Sequence, residues 1–334
     1  MKSPFTGKDM SIQKELRKIN FRKDEFNVLV HFYKCDETGE QFEDQHLSEL
    51  NYVQLINQYR AKHKIPFPEQ IKSIRERYDL SATKMSEILG FGTNVYRQYE
   101  AGEVPSQSNA RLIQLADDPH EFKKLLGLCG TVDEKLRQRT ENKIENILET
   151  CKKNKADRWV EQYLFSGYSI DSENGYKMPN MDKIKEMVFY FADKLNPWKT
   201  KLNKLLFYTD FLSFKQTGYS ISGSRYRAIP MGPVPNNFDS LFEYLSNKQV
   251  IQINYMDFEN GDTGSQFLPF PGRDFNSDIL TESEHAVLEY VANRFKDTST
   301  KEMIDISHKE RAWIDNKDER KIIDYQYSFE LSQV

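Results

Sequence analysis

The chain has 334 residues, a formal net charge of −4 and 29% charged residues, which is typical of a soluble protein of two or three domains. No apolar run approaches the roughly 20 residues that a membrane helix needs, and the N-terminus lacks the apolar segment of a secretory signal. Three scattered cysteines cannot build a disulfide framework, so we expect a reduced, cytoplasmic protein without membrane contact.

Residues 1–60 predict a small β-rich unit followed by a helix. Phe26 to Cys35 is rich in β-branched and aromatic residues, as strands are, and the four residues that follow form a turn sequence ending in glycine. Apolar residues at three-residue steps predict a helix from Leu47 to Arg60. The Ile-Pro-Phe-Pro sequence that comes next ends this helix.

Five short helices are predicted within residues 66–127. The second helix begins at the cap Ser81 and ends at Gly90, which suits a left-handed helix end. The third begins at the cap Thr93 and ends near Gly102. A short capped helix, a tight turn with glycine and a second short helix form the helix-turn-helix pattern. The other three helices are expected at 69–78, 109–116 and 119–126.

The third of these helices separates inward from outward side chains. Tyr96 and Tyr99 are expected to face inward, because they lie three residues apart. The outer face then carries Thr93, Asn94, Arg97 and Gln98. Asn94 and Gln98 suit adenine edges, whereas Arg97 suits guanine or a phosphate. An isolated polar helix face is more often plain solvated surface, so the DNA-binding prediction depends on the surrounding helices.

The segment from Glu69 to Leu126 resembles the Cro/repressor-type (Xre-like) helix-turn-helix family. An aromatic residue or leucine, a Glu, a Gly and a Pro close the recognition helix there, and these places are held here by Tyr99, Glu100, Gly102 and Pro105. The resemblance implies that Thr93, Asn94 and Gln98 contact bases and that Glu100 is a structural partner.

Overall charge does not attract this region to DNA. Residues 66–126 carry eight Lys/Arg against nine Asp/Glu. Binding to operator DNA therefore depends on the local placement of side chains. We expect a dimer, because one short recognition helix makes too few phosphate and base contacts alone.

The N-terminal unit is similar to the zinc-ribbon domain of MqsA-type antitoxins, which precedes the same kind of helix-turn-helix. That domain uses two Cys-x-x-Cys knuckles, and the corresponding positions here read SPFTG (residues 3–7) and CDETG (residues 35–39). Only Cys35 has a thiol, and His31 and His46 lie at irregular spacing, whereas a structural zinc needs four Cys or His ligands. We therefore predict no metal site. The expected core residues in its place are Phe5, Phe26, Phe32 and Phe42.

Residues 128–180 predict a helical connector, with a charged helix from Val132 to Lys152 and a polar linker or loop from Ser169 to Asn180. A helical C-terminal domain with a small sheet is expected at 181–330. Its predicted helices are 181–195, 198–217, 237–246, 281–295 and 300–307, and its strands lie around 226–229 and 250–255, with a rigid turn at Gly232-Pro233. The fold class is therefore predicted as mainly α with small β elements (α+β).

The stretch from Leu202 to Phe238 resembles the Panacea domain, also called the SocA-like antitoxin domain. Its motifs occur in order as Lys204-Leu205-Leu206-Phe207-Tyr208-Thr209-Asp210, Gly218 through Gly223 to Tyr226, Gly232-Pro233-Val234-Pro235, and Ser307 through Glu310 to Ala312-Trp313. The first motif is the looser match, because Tyr208 sits one place late. The resemblance covers roughly residues 181–325.

Panacea domains are carried by antitoxins of bacterial and phage toxin–antitoxin pairs. The resemblance implies an antitoxin that neutralises a cognate toxin by direct binding, and small alarmone synthetases are among the toxins paired with this family. We expect no cofactor. With the helix-turn-helix, it also implies repression of the protein's own operon, as a homodimer or a toxin–antitoxin hetero-oligomer. A stand-alone transcriptional regulator and a proteolytic adaptor for a client protein remain as alternatives.

Candidate toxin contacts lie among these motifs: Lys204, Asp210, Arg225 and Tyr226. Structural roles are the alternative, since Lys204 and Asp210 suit an internal ion pair and Trp313 suits a core. An enzyme is not predicted. Ser307, His308 and Glu310 are close in sequence, but adjacent helical residues diverge by about 100°, and neither a GxxxxGK[ST] loop nor an HExxH motif occurs.

Overall fold

The computed structural model describes residues 1–153, 155–165, 169–257 and 263–334. The chain is mainly helical with small antiparallel sheets, which confirms the predicted fold class. It divides into two compact units. The first comprises Met1–Gly39 and Gln54–Val160, and the second comprises Glu40–Val53 and Glu161–Val334.

The first unit starts with an antiparallel hairpin of β1 (Ser11–Phe21) and β2 (Asp24–Lys34). The sequence predicted β2 but not β1, because charged residues interrupt the apolar alternation of β1 and most of that strand is exposed. Apolar side chains of β2 pack against the second half of the following helix, which confirms Phe26 and Phe32 as core residues. Phe5 is 64% exposed and Phe42 is half-buried, so neither supplies the expected core.

Helices follow β3 (Gln41–Phe42) in close succession. They are α1 (Gln45–His63), α2 (Pro68–Arg77), α3 (Ala82–Ile88), α4 (Val95–Glu100), α5 (Gln107–Leu115), α6 (Pro119–Leu128) and α7 (Glu134–Lys153). The helices α2 to α7 share one core that includes Met85, Tyr96, Phe122 and Ile144. Each helix predicted between residues 47 and 152 is therefore present, with its ends moved by a few residues.

The starts of α3 and α4 are capped in different ways. Ser81 caps α3 as predicted, because its side chain accepts the backbone N–H of Lys84. Thr93 is not the cap of α4, since the helix begins after Asn94 and Asn94 makes no capping bond through its side chain. The backbone N–H of Tyr96 donates instead to the Ser86 hydroxyl of α3, at 3.0 Å. A neighbouring helix thus satisfies a donor that a local cap would otherwise bind.

The second unit is built around α9 (Met181–Leu195) and α10 (Lys199–Thr217). The helix α8 (Lys155–Phe165), which the sequence did not predict, precedes them. Later helices are α11 (Phe238–Asn247), α12 (Glu282–Phe295), α13 (Thr300–Ser307) and α14 (Arg311–Ile314). One sheet has the strand order β5 (Gly232–Pro235), β4 (Tyr226–Ile229), β8 (Ile322–Ile323), and a hairpin pairs β6 (Ile251–Asp257) with β7 (Thr263–Pro269).

The helix α10 lies in the interior of the second unit. Every residue from Lys201 to Phe214 is buried, including the polar ones. Aromatic rings surround it, and Phe211 stacks on Tyr325 with ring centroids 4.3 Å apart. A helix that is buried on all sides cannot show an amphipathic pattern, so its polar residues must find partners inside the protein or go without.

Two sequence predictions in this unit need correction or refinement. Gly232 and Pro233 belong to the strand β5, which pairs with β4, and the turn lies one step earlier at Pro230 and Met231. The stretch from Ser169 to Asn180 is a packed loop of the second unit rather than a linker, since Asn174 and Tyr176 within it are buried.

The length and hydropathy of each helix show whether it could cross a membrane. Among the described residues, none of the helices combines the length and the apolar character needed to cross a bilayer.

Candidate functional site

The predicted DNA-reading residues lie together on the surface of the first unit. Thr93, Asn94, Arg97 and Gln98 are all exposed, and Asn94, Arg97 and Gln98 share one side of α4 because they are three and four residues apart. Tyr96 and Tyr99 are buried on the opposite side, as expected.

Hydrogen bonds from the two tyrosines fix α4 from behind. The Tyr96 hydroxyl donates to the carbonyl of Ile71 at 2.7 Å, and burial raises the Tyr96 pKa far above its usual value. The Tyr99 hydroxyl accepts from the side-chain amide of Asn109 at 2.8 Å. Both tyrosines therefore combine apolar burial with a satisfied polar end, which leaves α4 in one orientation.

An ion pair holds the end of α4 against α2. The Arg75 Nε atom lies 2.6 Å from Glu100 Oε1, and a second nitrogen of the same guanidinium lies 3.3 Å from Oε2. The bond to Glu100 raises the pKa of Arg75. Glu100 is thus a structural partner, as the family resemblance implied, and not part of the exposed face.

Arg60 is a structural residue that the sequence reading missed. Its guanidinium is buried and donates to the carbonyls of Pro66, Gly102 and Glu103, at 2.9, 2.8 and 3.1 Å. It therefore fixes the chain directly after α4. The available signal was its position four residues after Ile56, which places a charged residue on the apolar face of α1.

In the second unit, Asp210 organises the loop that leads into β4. Its carboxylate is fully buried and accepts the N–H groups of Ile221 and Ser222, at 2.9 and 2.8 Å. It also accepts the hydroxyls of Ser222 and Tyr226, the latter at 2.7 Å. Burial raises the pKa of Asp210, while these four donors favour its charged form.

Lys204 lies about one and a half turns before Asp210 on α10. Its amine is buried, and no partner among the described residues offsets its loss of hydration. Within the described part of the chain, its Nζ atom has no hydrogen-bond partner, and burial lowers its pKa to about 7. A Cβ on Gly232 would lie only 2.6 Å from both Lys204 Cε and Ser307 Oγ. Gly232 also has a φ of +98°, so both space and backbone conformation require glycine there.

These contacts show that the predicted Lys204–Asp210 ion pair is wrong, and they show where the four predicted toxin contacts lie. Lys204 and Asp210 do not form an ion pair, because other groups satisfy Asp210 and Lys204 Nζ is unpaired. Both residues and Tyr226 are buried, so they offer a partner no surface in this structure. Arg225 is mostly covered as well, and its guanidinium lies 2.7 Å from Asp171 and 3.0 Å from Glu173.

The last sequence motif joins α13 and α14 to the rest of the unit. Glu310 is buried and accepts the Tyr208 hydroxyl at 3.3 Å and the backbone N–H of Ser332 at 3.0 Å, and burial raises its pKa. The His308 ring stacks on Trp313 with centroids 3.7 Å apart, and Ser307 donates to a carbonyl of its own helix. Ser307, His308 and Glu310 thus have separate partners rather than a nucleophile–base relay.

Comparison with known families concerns the same buried region. Residues 202–314 match the family model described as "Antitoxin SocA-like, Panacea domain". This confirms the Panacea part of the resemblance over about a third of the chain, a narrower range than expected. The Panacea match supports an antitoxin role in general, and it favours a regulatory over a catalytic protein. No curated protein and no solved structure matched the chain.

Proposed function

We propose that the protein is a DNA-binding antitoxin, which neutralises a cognate toxin by direct binding and represses its own operon. The observation that carries this proposal is the Panacea match at residues 202–314. All of its sequence motifs lie in one packed unit, around the buried helix α10. The toxin-binding surface therefore belongs to this unit, and the buried motif residues support it rather than touch the toxin.

The proposed toxin-binding surface is the tip of the β4–β5 hairpin. Met231 lies in this turn and is 49% exposed. The Trp313 indole N–H donates to the carbonyl of Ile229 at 2.8 Å, which fixes the turn beside a half-buried aromatic ring. Met and aromatic side chains are enriched at protein interfaces, and Trp is frequent among the residues that contribute most to binding. Lys317 Nζ lies 4.9 Å from the Trp313 ring centroid, so an apolar toxin patch bordered by an acidic group would be complementary.

The experiment is co-expression of the full chain with the product of the neighbouring gene, with growth as the readout. We expect Met231→Glu to lose most of the rescue, because it places a charge in an apolar contact. Tyr290→Glu is the matched control, since Tyr290 is 50% exposed on α12 of the same unit, outside the motifs. Equal rescue by both variants would exclude the hairpin tip. A harmless neighbour would instead favour a stand-alone regulator.

For operator binding, we propose that Thr93, Asn94, Arg97 and Gln98 contact the DNA. Support comes from their exposure on one side of a helix that Tyr96 and Tyr99 anchor from behind. Two copies of the chain would present two such helices to a two-fold symmetric operator.

Operator affinity of a double variant tests this proposal. Asn94→Ala with Gln98→Ala should lose about 1–3 kcal/mol for each base contact, and toxin neutralisation should be unchanged. Gln138→Ala with Asn142→Ala is the matched control, because it removes another exposed amide pair four residues apart in the same unit. Loss of neutralisation in the folded Asn94/Gln98 variant would contradict this division of labour.

A further inference from the structure

Two turns at the start of the first unit share one geometry. In the turn Ser3–Gly7 the backbone N–H of Gly7 donates to the Ser3 carbonyl at 2.9 Å, and in the turn Cys35–Gly39 the N–H of Gly39 donates to the Cys35 carbonyl at 2.8 Å. Both glycines are left-handed, with φ of +68° and +73°. The two turns are therefore equivalent, although they are 32 residues apart.

The side chain that opens each turn is bound in the same way. Ser3 Oγ accepts the backbone N–H groups of the third and fourth residues of its turn, Phe5 and Thr6, at 3.3 and 3.4 Å. The sulfur of Cys35 is hydrogen-bonded by the backbone of the corresponding residues, Glu37 and Thr38. The first side chain of each turn thus points back over its own turn.

The two turns face each other around the sulfur of Cys35. Ser3 and Cys35 are both buried, and the Ser3 hydroxyl donates to Cys35 Sγ at 3.3 Å. The Thr6 hydroxyl lies 3.9 Å from the same sulfur, and the Thr38 side chain also hydrogen-bonds to it. The first and fourth residues of both turns therefore converge on one point. These donors lower the pKa of the Cys35 thiol to about 6.

This convergence is the arrangement in which two Cys-x-x-Cys pairs hold a structural zinc tetrahedrally. The donor set, however, is one thiol and three hydroxyls, and neutral hydroxyls are not among the ligands of structural zinc sites. Among the described residues, no group of three or more His, Cys, Asp or Glu side chains is placed to hold a metal ion. The residues present therefore do not fit zinc.

We propose that Ser3, Thr6, Cys35 and Thr38 form a metal-free replacement of a two-knuckle zinc cage, in which hydrogen bonds to the Cys35 sulfur hold the two turns together. The cluster has a structural role, and it is independent of the function proposed above. Because the backbone geometry of both knuckles is present, three substitutions should be enough to create a zinc site.

The test is the full-length variant Ser3→Cys/Thr6→Cys/Thr38→Cys, purified with a chelator and titrated with Co²⁺. We expect one Co²⁺ per chain with the visible absorption of tetrahedral thiolate coordination, and a melting temperature that rises when Zn²⁺ is added. The control Ser3→Cys/Phe5→Cys/Glu37→Cys also puts four thiols in the two turns, but at shifted positions, and should show neither. The unsubstituted protein should melt at the same temperature with and without chelator.

A folded triple variant that binds no Co²⁺, or binds it no better than the shifted control, would overturn the proposal. So would a chelator that lowers the melting temperature of the unsubstituted protein. If the triple variant does not fold, a cycle of Ser3→Ala, Cys35→Ala and the double variant decides the question. We expect the double variant to lose less thermal stability than the two single losses together, whereas additive losses would show that the two side chains are not coupled.

Discussion

The two units differ in whether the polar side chains of their sequence motifs are exposed or buried. In the first unit, α4 buries its tyrosines and exposes Asn94, Arg97 and Gln98, so polar residues between apolar anchors mark the surface. In the second unit, α10 buries Lys204 and Asp210 together with every apolar residue around them. Polar residues of the predicted motifs are thus exposed in one unit and internal in the other.

The energetic consequences of burial differ within α10 itself. Asp210 has four donors, so its desolvation is largely offset. Lys204 has none in the described structure, so its burial lowers stability. A buried residue that lowers stability in this way is a candidate for a role other than stability.

Replacement of Asp210 should have the largest effect and tests the idea of internal support most directly. Asp210→Ala leaves the donors of Ile221, Ser222 and Tyr226 without an acceptor, which should lower the free energy of unfolding by at least about 3 kcal/mol, since each unsatisfied buried donor costs about 1–3 kcal/mol. Urea unfolding of the full chain measures this. The control Asp193→Ala removes an exposed carboxylate of α9 and should cost less than about 1 kcal/mol. Equal costs would show that the buried carboxylate of Asp210 supports the second unit no more than an exposed one does.

Replacement of Arg60 tests whether the exposed side of α4 depends on a buried charged residue. Arg60→Met leaves three carbonyls without their donor and should cost about 2–3 kcal/mol in unfolding free energy. It should also weaken operator binding, because Gly102 and Glu103 directly follow α4. Arg111→Met, on the exposed side of α5, is the control. Unchanged DNA affinity in a folded Arg60→Met variant would show that the end of α4 needs no such support.

Replacement of Lys204 should raise the free energy of unfolding instead of lowering it. Lys204→Met keeps the side-chain length, removes an unpaired amine and should stabilise the second unit by about 1–3 kcal/mol near neutral pH. The folded-state pKa of about 7 lies below the unfolded-state value of 10.5, so between these values the unfolded chain binds more protons. The contribution of Lys204 to the free energy of unfolding should therefore rise from pH 7 to 10.5, and the difference between the unsubstituted protein and Lys204→Met isolates it.

Denaturant unfolding as a function of pH, on both the unsubstituted protein and Lys204→Met, measures this effect. The rise with pH should be missing from the variant. A variant that is less stable at every pH would mean that Lys204 has a stabilising partner. A stabilised variant that no longer neutralises the toxin would show that the lysine is kept for function.

The smallest expected effect concerns Glu100. Glu100→Gln keeps the shape but loses the ion pair with Arg75, and should cost about 1 kcal/mol in stability. The operator affinity of Glu100→Gln should fall less than that of the Asn94/Gln98 double variant. Fluorescence anisotropy with operator DNA measures the affinity of both variants. A larger loss for Glu100→Gln would place Glu100 among the DNA contacts.

The sequence predicted most helices because their ends carry local signals. Asn180 and Asn196 bound α9 at the predicted residues, the first as a side-chain cap and the second in the left-handed conformation. Such signals act within a few residues, so they can be read without the fold. The strand β1 lacked them, since its pairing with β2 depends on the hairpin and not on its own composition.

The roles of polar residues were harder to predict. The outward face of α4 followed from the spacing of Tyr96 and Tyr99, because that helix has one buried side. The helix α10 has no exposed side along Lys201 to Phe214, so spacing carries no information about Lys204 or Asp210. The donors to Asp210 lie beyond the end of the helix, between Ile221 and Tyr226, and only the folded chain brings them to its carboxylate.

The ion pairs of Arg225 bear on how this protein can be truncated. Asp171 and Glu173 come before α9, and a Cβ on Gly223 would lie only 2.5 Å from the carbonyl oxygen of Met178. A fragment that starts at residue 181, where the C-terminal domain was predicted to begin, would cut away both carboxylates and the backbone against which Gly223 packs. Truncated chains intended to isolate the unit that contains the Panacea match should therefore start before Ser169.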